Sequence, residues 1–156
     1  MGIAGYSEMA KMLGFNNIAD KYATIAKKMA VKWEEMANEG DHYRLAFDRE
    51  DTWSQKYNMI WDKMWGLNLF PNNVIDKEIN YYLTKQNPYG LPLDSRKDYT
   101  KSDWIMWTAA MSSDQITFEK FVDPLYKYVN ETISRVPISD WYDTKTNQMT
   151  GFKARS

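Results

Sequence analysis

The sequence predicts an all-α fold built from stacked antiparallel helical hairpins. Six segments repeat apolar residues at steps of three and four, the period that puts them on one face of a helix. Several are bounded by cap signals of the Asn, Ser/Thr-x-x-acid or Gly type. Short and long connections alternate, so the helices fall into three consecutive pairs.

The first helix spans about Ile3 to Leu13, with Tyr6, Met9, Ala10 and Leu13 on one face. Gly14 is placed to end it in the left-handed conformation that suits glycine. Asn16 or Asn17 is the expected cap of the second, whose stripe is Ile18, Tyr22, Ile25, Met29, Trp33 and Met36. Asp20, Lys21, Lys27, Lys28, Glu34 and Glu35 fill its other face, and the helix runs out near Gly40. Residues 41–50 read as irregular. A third helix is expected from about Thr52, with Trp53, Tyr57, Ile60, Trp61, Met64 and Trp65, broken by Leu67 to Pro71. Asn72 or Asn73 begins the fourth, with Val74, Ile75, Ile79, Tyr82 and Leu83, which must stop before Asn87-Pro88.

Asn87 to Tyr99 is long for a loop in a compact domain, and loops of that length are usually functional or disordered. Its Tyr and Leu residues argue for order. Thr100-Lys-Ser-Asp103 then reads as a capping box ahead of a fifth helix with Trp104, Trp107, Thr108 and Met111. Ser112-Ser-Asp-Gln115 is a second such signal, ahead of a sixth helix with Phe118, Phe121, Val122, Leu125, Tyr128 and Val129. Pro124 should kink that helix or mark its first turn. The tail from Ser134 loses the helical period and suits a short hairpin.

Composition removes whole classes of function. The 156 residues fit one domain, 1–156, and contain no cysteine and a single histidine, His42. Disulfides, thiolate metal sites, a cysteine nucleophile and multi-histidine metal centres are thereby excluded, and no cofactor is implied. The 20 basic and 21 acidic residues nearly balance, which argues against a nucleic-acid partner. No apolar run approaches a membrane span, and the N-terminus does not read as a signal peptide. Seven Trp, eleven Tyr and six Phe accompany a mean hydropathy of −0.67. Large amphipathic rings in a polar sequence suit a helical core edged by aromatics, or a groove lined with them.

Four places carry candidate chemistry. His42 is either a general base oriented by Asp41 or Asp48, or a structural hydrogen-bonding residue. The junction of Asp94, Arg96, Tyr99, Lys101, Asp103 and Trp104 gathers carboxylates and cations at a helix start, where an anionic group is favoured. Asp94 and Asp103 suit an acid/base pair if the loop folds back. Alternatively, Asp94 and Arg96 form a loop-fixing salt bridge and Asp103 completes a cap. Asp140 and Asp143 bracket Trp141-Tyr142, an acid–aromatic pattern shared by sugar clefts and ordinary turns. Ser54 beside Lys56 has the composition of a Ser/Lys nucleophile. On a helix, however, residues at i and i+2 lie on different faces.

The linked motifs Trp61-Asp-Lys-Met-Trp-Gly-Leu-Asn-Leu-Phe-Pro71, Lys85-Gln-Asn-Pro-Tyr-Gly-Leu-Pro-Leu-Asp-Ser-Arg96 and Tyr99-Thr-Lys-Ser-Asp-Trp104 resemble the glutaminase A family. So do Asn130-Glu-Thr132, Arg135-Val-Pro137, Asp140-Trp-Tyr-Asp143 and Phe152-Lys-Ala-Arg-Ser156. The resemblance implies a six-hairpin domain, an (α/α)₆ toroid of which three hairpins are one half, so that the chain is a fragment of a larger domain. It implies hydrolysis of L-glutamine to L-glutamate and ammonia, a small-molecule substrate, and a secreted, periplasmic or extracellular setting as in bacterial relatives. Under that reading Asp94 and Asp103 are the catalytic candidates, and Arg96, Lys101, Tyr99, Trp104, Asp140 and Asp143 the substrate-binding ones. The other readings are a glycoside hydrolase-like or sugar-binding toroid, and a non-catalytic helical fragment that self-associates through open helix faces.

Overall fold

The computed structural model describes residues 1–135 and 137–151. Val136 and the Phe152–Ser156 motif lie outside the described residues.

The described chain is mostly helical, with six α-helices and little strand. In order these are α1 (Gly2–Met12), α2 (Asn16–Ala37), a 3₁₀ turn (Tyr57–Met59), α3 (Ile60–Trp65), α4 (Asn72–Leu83), β1 (Tyr99–Lys101), α5 (Ser102–Ala109), α6 (Gln115–Glu131) and β2 (Trp141–Asp143). No helix among the described residues is long and apolar enough to cross a membrane.

α1 packs directly on α2. Gly14, at φ +82°, turns the chain between them as expected. Of the predicted α1 face only Ala10 is buried. Ala4 and Ser7 of α1 are buried with it, together with Ala19, Ala26 and Ala30 of α2, while Ala37 at the far end of α2 joins the main core. Small side chains let the backbones approach closely enough for the Ser7 hydroxyl to donate to the Ala19 carbonyl at 2.7 Å. The large residues expected inside, such as Met9, Leu13, Ile18 and Met29, are exposed instead. Phe15 rather than an asparagine occupies the cap of α2, with no side-chain cap bond.

The main core gathers around Tyr43, Val74, Tyr82, Leu91, Ile105, Phe121 and Tyr142, all fully buried. α5 and α6 pack directly on each other. Asp114 caps α6, its Oδ1 accepting from the Thr117 amide at 2.8 Å. Pro124 sits well inside α6 rather than in its first turn. A proline there leaves the carbonyl four residues earlier without its helical donor. That carbonyl belongs to Lys120, and the Gln86 side-chain amide donates to it at 2.7 Å.

The third helix is shorter than its apolar spacing predicts. Residues 52–56 are not helical, and 53–55 run extended, because Ser54 bridges to Asp94 and the Gln55 amide donates to the Leu93 carbonyl at 2.8 Å. α4 is anchored to this segment and to the stretch before it through Glu78 and Tyr82. The tail forms the expected hairpin, with Tyr142 bridging Met149, and β2 also pairs antiparallel with β1, Thr100 opposite Tyr142.

Candidate functional site

The loop before β1 is ordered by its backbone groups. Asn87 and Gly90 exchange both amide hydrogen bonds, at 3.0 and 3.1 Å, closing a tight turn. The buried Gln55 amide donates to the carbonyls of Leu91 and Pro92 at 3.1 and 2.9 Å, and Leu93 donates to Tyr99 at 2.9 Å. The loop is thereby folded back against the extended 53–55 segment.

This places Asp94, 4% exposed, against its neighbour Arg96. Asp94 Oδ1 accepts from the Arg96 amide at 2.9 Å and from Nε at 3.0 Å, while Oδ2 accepts from Nη2 at 2.7 Å. Such a two-pronged pair fixes a guanidinium in orientation as well as position. The Asp94 carboxylate holds the Arg96 guanidinium above its usual range. Arg96 itself remains 56% exposed. It edges a groove of about 380 Å³ whose lining includes Trp33, Ser54, Lys56, Tyr57 and Asn58.

A second group surrounds the start of α5. Lys101 Nζ lies 3.1 Å from Asp140 and 3.9 Å from Asp103, and 4.9 Å over the Trp104 ring. Asp103 Oδ1 accepts from the Trp104 amide at 3.0 Å. The expected capping box is not made: no side chain caps α5, and Thr100 Oγ1 accepts from Gln55 at 3.3 Å instead. Tyr99 meets Trp141 edge-on at 5.4 Å. Asp143 shapes the turn of the tail hairpin, its Oδ1 accepting from the amides of Lys145 and Thr146 at 2.9 and 2.8 Å.

The two groups meet through one ring pair. Tyr57 lines the groove and stacks on Trp104, centroids 4.7 Å apart and planes 4° from parallel. Among the described residues no ion pair or hydrogen bond joins Asp94 to Asp103, and Asp94 spends both oxygens on Arg96. Those are the partners of a residue that orients a cation.

His42 is buried at 7%, stacked on Tyr81 at 4.1 Å, with Nδ1 2.8 Å from Asp41. The hydrogen bond from His42 holds the Asp41 carboxyl below its usual range. Among the described residues no three acidic or histidine side chains converge to hold a metal ion.

Sequence reasoning set aside one cluster that the structure assembles beside the groove. Lys56 Nζ donates to the carbonyls of Tyr43 and Ser54 at 2.9 and 3.0 Å and lies 3.2 Å from Ser54 Oγ and 3.3 Å from Glu78. Glu78, 1% exposed, accepts from the Tyr43 amide at 2.7 Å and from the Tyr82 hydroxyl. Burial pulls the Lys56 ammonium below its usual range, and Glu78 opposes that shift. One signal for the cluster was present: Glu78 stands four residues from both Val74 and Tyr82, on the apolar face of α4.

The mostly helical fold agrees with comparison to known proteins. Residues 1–156 match the Glutaminase A six helical-hairpin domain, and the chain belongs to that family. Glutaminase A of Aspergillus oryzae is 33% identical over 150 residues, covering 94% of this chain and 22% of the relative. A probable glutaminase of Arthroderma benhamiae is 31% identical over 181 residues, covering 93% of this chain and 20% of the relative. The chain spans about a fifth of the length of these curated relatives, both of them fungal.

Proposed function

We propose that this chain is part of a larger helical domain, an (α/α)₆ toroid, that hydrolyses the side-chain amide of L-glutamine. The observation that carries the reading is Arg96: in a chain of the glutaminase A family, a guanidinium held by a buried carboxylate stands at the edge of a groove. A free amino acid needs a cation for its α-carboxylate, and a fork-shaped guanidinium suits that group. Asp94 acts through Arg96. Lys101, Asp103 and Asp140 form the adjoining polar edge, and Trp104 carries that edge to the groove through Tyr57. Tyr99 and Asp143 contribute by fixing the strand pair that supports it.

Amide hydrolysis also needs a nucleophile and donors for a tetrahedral oxyanion. The test is ammonia release from L-glutamine by this chain and by a longer chain that contains it, each with Asp94→Asn and Asp103→Asn variants. Release that weakens in the Asp94 variant supports the reading. A longer chain that releases no ammonia but quenches its tryptophan fluorescence with oligosaccharides replaces it with the sugar-binding reading. The large side chains exposed on α1 and α2 support self-association through open helix faces. Light scattering that finds a monomer at high concentration removes that element.

A further inference from the structure

The pair Ser54 and Lys56 has a geometry that its sequence spacing on a helix would forbid. Residues at i and i+2 share one side of an extended chain. The bridge from Ser54 to Asp94 makes the chain extended here, and it brings Lys56 Nζ to 3.2 Å from Ser54 Oγ. Both residues line the groove that Arg96 edges.

The surroundings of Nζ fit an amine that accepts a proton. In its neutral form Nζ has two hydrogens and a lone pair. The two carbonyls at 2.9 and 3.0 Å take the hydrogens, and the lone pair is left for the Ser54 hydroxyl. The Lys56 side chain is 12% exposed, and desolvation favours that neutral form. Glu78, buried and 3.3 Å from Nζ, is itself held by the Tyr43 amide and the Tyr82 hydroxyl.

We propose that Ser54 is the nucleophile for amide hydrolysis in this groove and that Lys56 is the base that takes its proton. The inference rests on the amidase reading above. Ser54 Oγ bonds to the amide carbonyl carbon as its proton passes to Nζ, and the carbonyl electron pair moves onto oxygen. Collapse of that intermediate breaks the C–N bond, and Nζ returns the proton to the departing nitrogen, which leaves as ammonia. Water then attacks the Ser54 ester, giving one proton to Nζ. The C–Oγ bond breaks, Oγ recovers that proton, and the carboxylic acid is released. Glu78 and Tyr82 are positioning residues in this scheme.

The test is covalent labelling of this chain with an alkyl fluorophosphonate, located by peptide mass spectrometry, alongside ammonia release from L-glutamine. The expected result is an adduct on Ser54 that is absent in Ser54→Ala, with labelling slowed about 100-fold in Lys56→Met, the range of a general base. Lys56→Arg places a permanent cation against Glu78 and supplies no base at neutral pH. It serves where Lys56→Met fails to fold, and it should slow labelling similarly. A folded wild-type chain that takes no adduct, or one labelled equally fast in both Lys56 variants, overturns the proposal. Glutamine turnover that persists unchanged in Ser54→Ala also overturns it, while leaving the glutaminase reading intact. Lys56-dependent labelling of Ser54 without glutamine turnover, in this chain and in the longer chain that contains it, supports the dyad and removes glutamine as its substrate.

Discussion

Thr108 of α5 donates its hydroxyl to Gln55 Oε1 at 3.0 Å, although one lies on a helix and the other on an extended strand-like segment. Both side chains are buried, and the Gln55 amide nitrogen serves the Leu91 and Pro92 carbonyls at the other end. A single side chain thus joins α5, the 52–56 segment and the loop before β1. Gln55→Leu takes a bond from four buried partners, Leu91, Pro92, Thr100 and Thr108, at roughly 1–3 kcal/mol for each one left unsatisfied and with partial relaxation. A total loss of about 3 kcal/mol is expected in urea unfolding. Thr108→Val removes one bond only and should cost about 1 kcal/mol.

Asp62 is a buried carboxylate that fastens a loop. It is 4% exposed and accepts from the amides of Leu69 and Phe70 at 3.0 Å each, fastening the loop after α3. Asp62→Ala strands both donors, and a loss of about 2–3 kcal/mol is expected. Proteolysis should then cut first between Gly66 and Pro71, and cleavage elsewhere would contradict the assignment.

The Asp94–Arg96 pair bears on stability as well as on the proposed substrate binding. Arg96 is mostly exposed but Asp94 is buried, so Arg96→Lys, which gives up one of two side-chain bonds, should cost about 1–2 kcal/mol in urea unfolding. A lysine cannot reproduce the fork, so under the proposed glutaminase function KM for glutamine should rise about tenfold, roughly 1.4 kcal/mol, with kcat little changed. A fall in kcat at constant KM would place Arg96 elsewhere in the reaction.

The tyrosines set an alkaline limit on stability. Burial, with Glu34 close by, pushes the Tyr43 hydroxyl up to about 12. A group whose pKa is higher in the folded state binds more protons folded than unfolded between the two values. Its stabilising contribution is complete below pH 10 and is lost as pH rises toward 12. That change is about 2–3 kcal/mol at 1.36 kcal/mol per pH unit. Burial pushes Tyr82 and Tyr142 up as well, and their losses add at higher pH. Denaturant titrations at stepped pH should show the decline, and Tyr43→Phe should make it shallower.

Gly90 is the position where a methyl group is least tolerated. Its φ is +124°, and an added Cβ would meet Ile105 Cδ1 at 3.0 Å and the Tyr142 hydroxyl at 3.2 Å. Gly90→Ala combines backbone strain with overpacking, and a loss of about 2–4 kcal/mol is expected. Gly14, also at positive φ but with open space around it, should cost about 1 kcal/mol on the same change.

Helix existence was legible wherever apolar spacing and local signals agreed, as in α2, α4 and α6. The choice of buried face on α1 and α2 was not legible. Large side chains mark a hydrophobic stripe, but the alanines one position away permit the closer backbone approach, and close packing decided the interface. Residues 52–56 were misread for a different reason. Trp53 and Tyr57 have helical spacing, yet Gln55 and Ser54 bond to residues some forty positions later, a pairing that no local window contains. The same hidden pairing concealed the Ser54–Lys56 contact. The 94–103 junction was located by its charge density alone, and its alternative of a loop-fixing salt bridge describes Asp94 and Arg96 as the structure shows them. The separation of Asp94 from Asp103 depends on how the loop folds back, which composition does not encode.

The antiparallel pairing of β1 with β2 encircles the whole α5–α6 hairpin, since the two strands lie at its opposite ends. Ring closure of that kind is entropically cheap only after the enclosed chain has shortened itself, and two packed helices do that locally. The sheet should therefore zip last. In pulsed hydrogen exchange during refolding, the α6 amides should gain protection before the Ser102 amide, which bonds to the Asp140 carbonyl at 2.9 Å. The groove edge at Lys101, Asp103 and Trp104 would then acquire its shape in the final step of folding, as a latch that sets only when the rest of the lock is assembled.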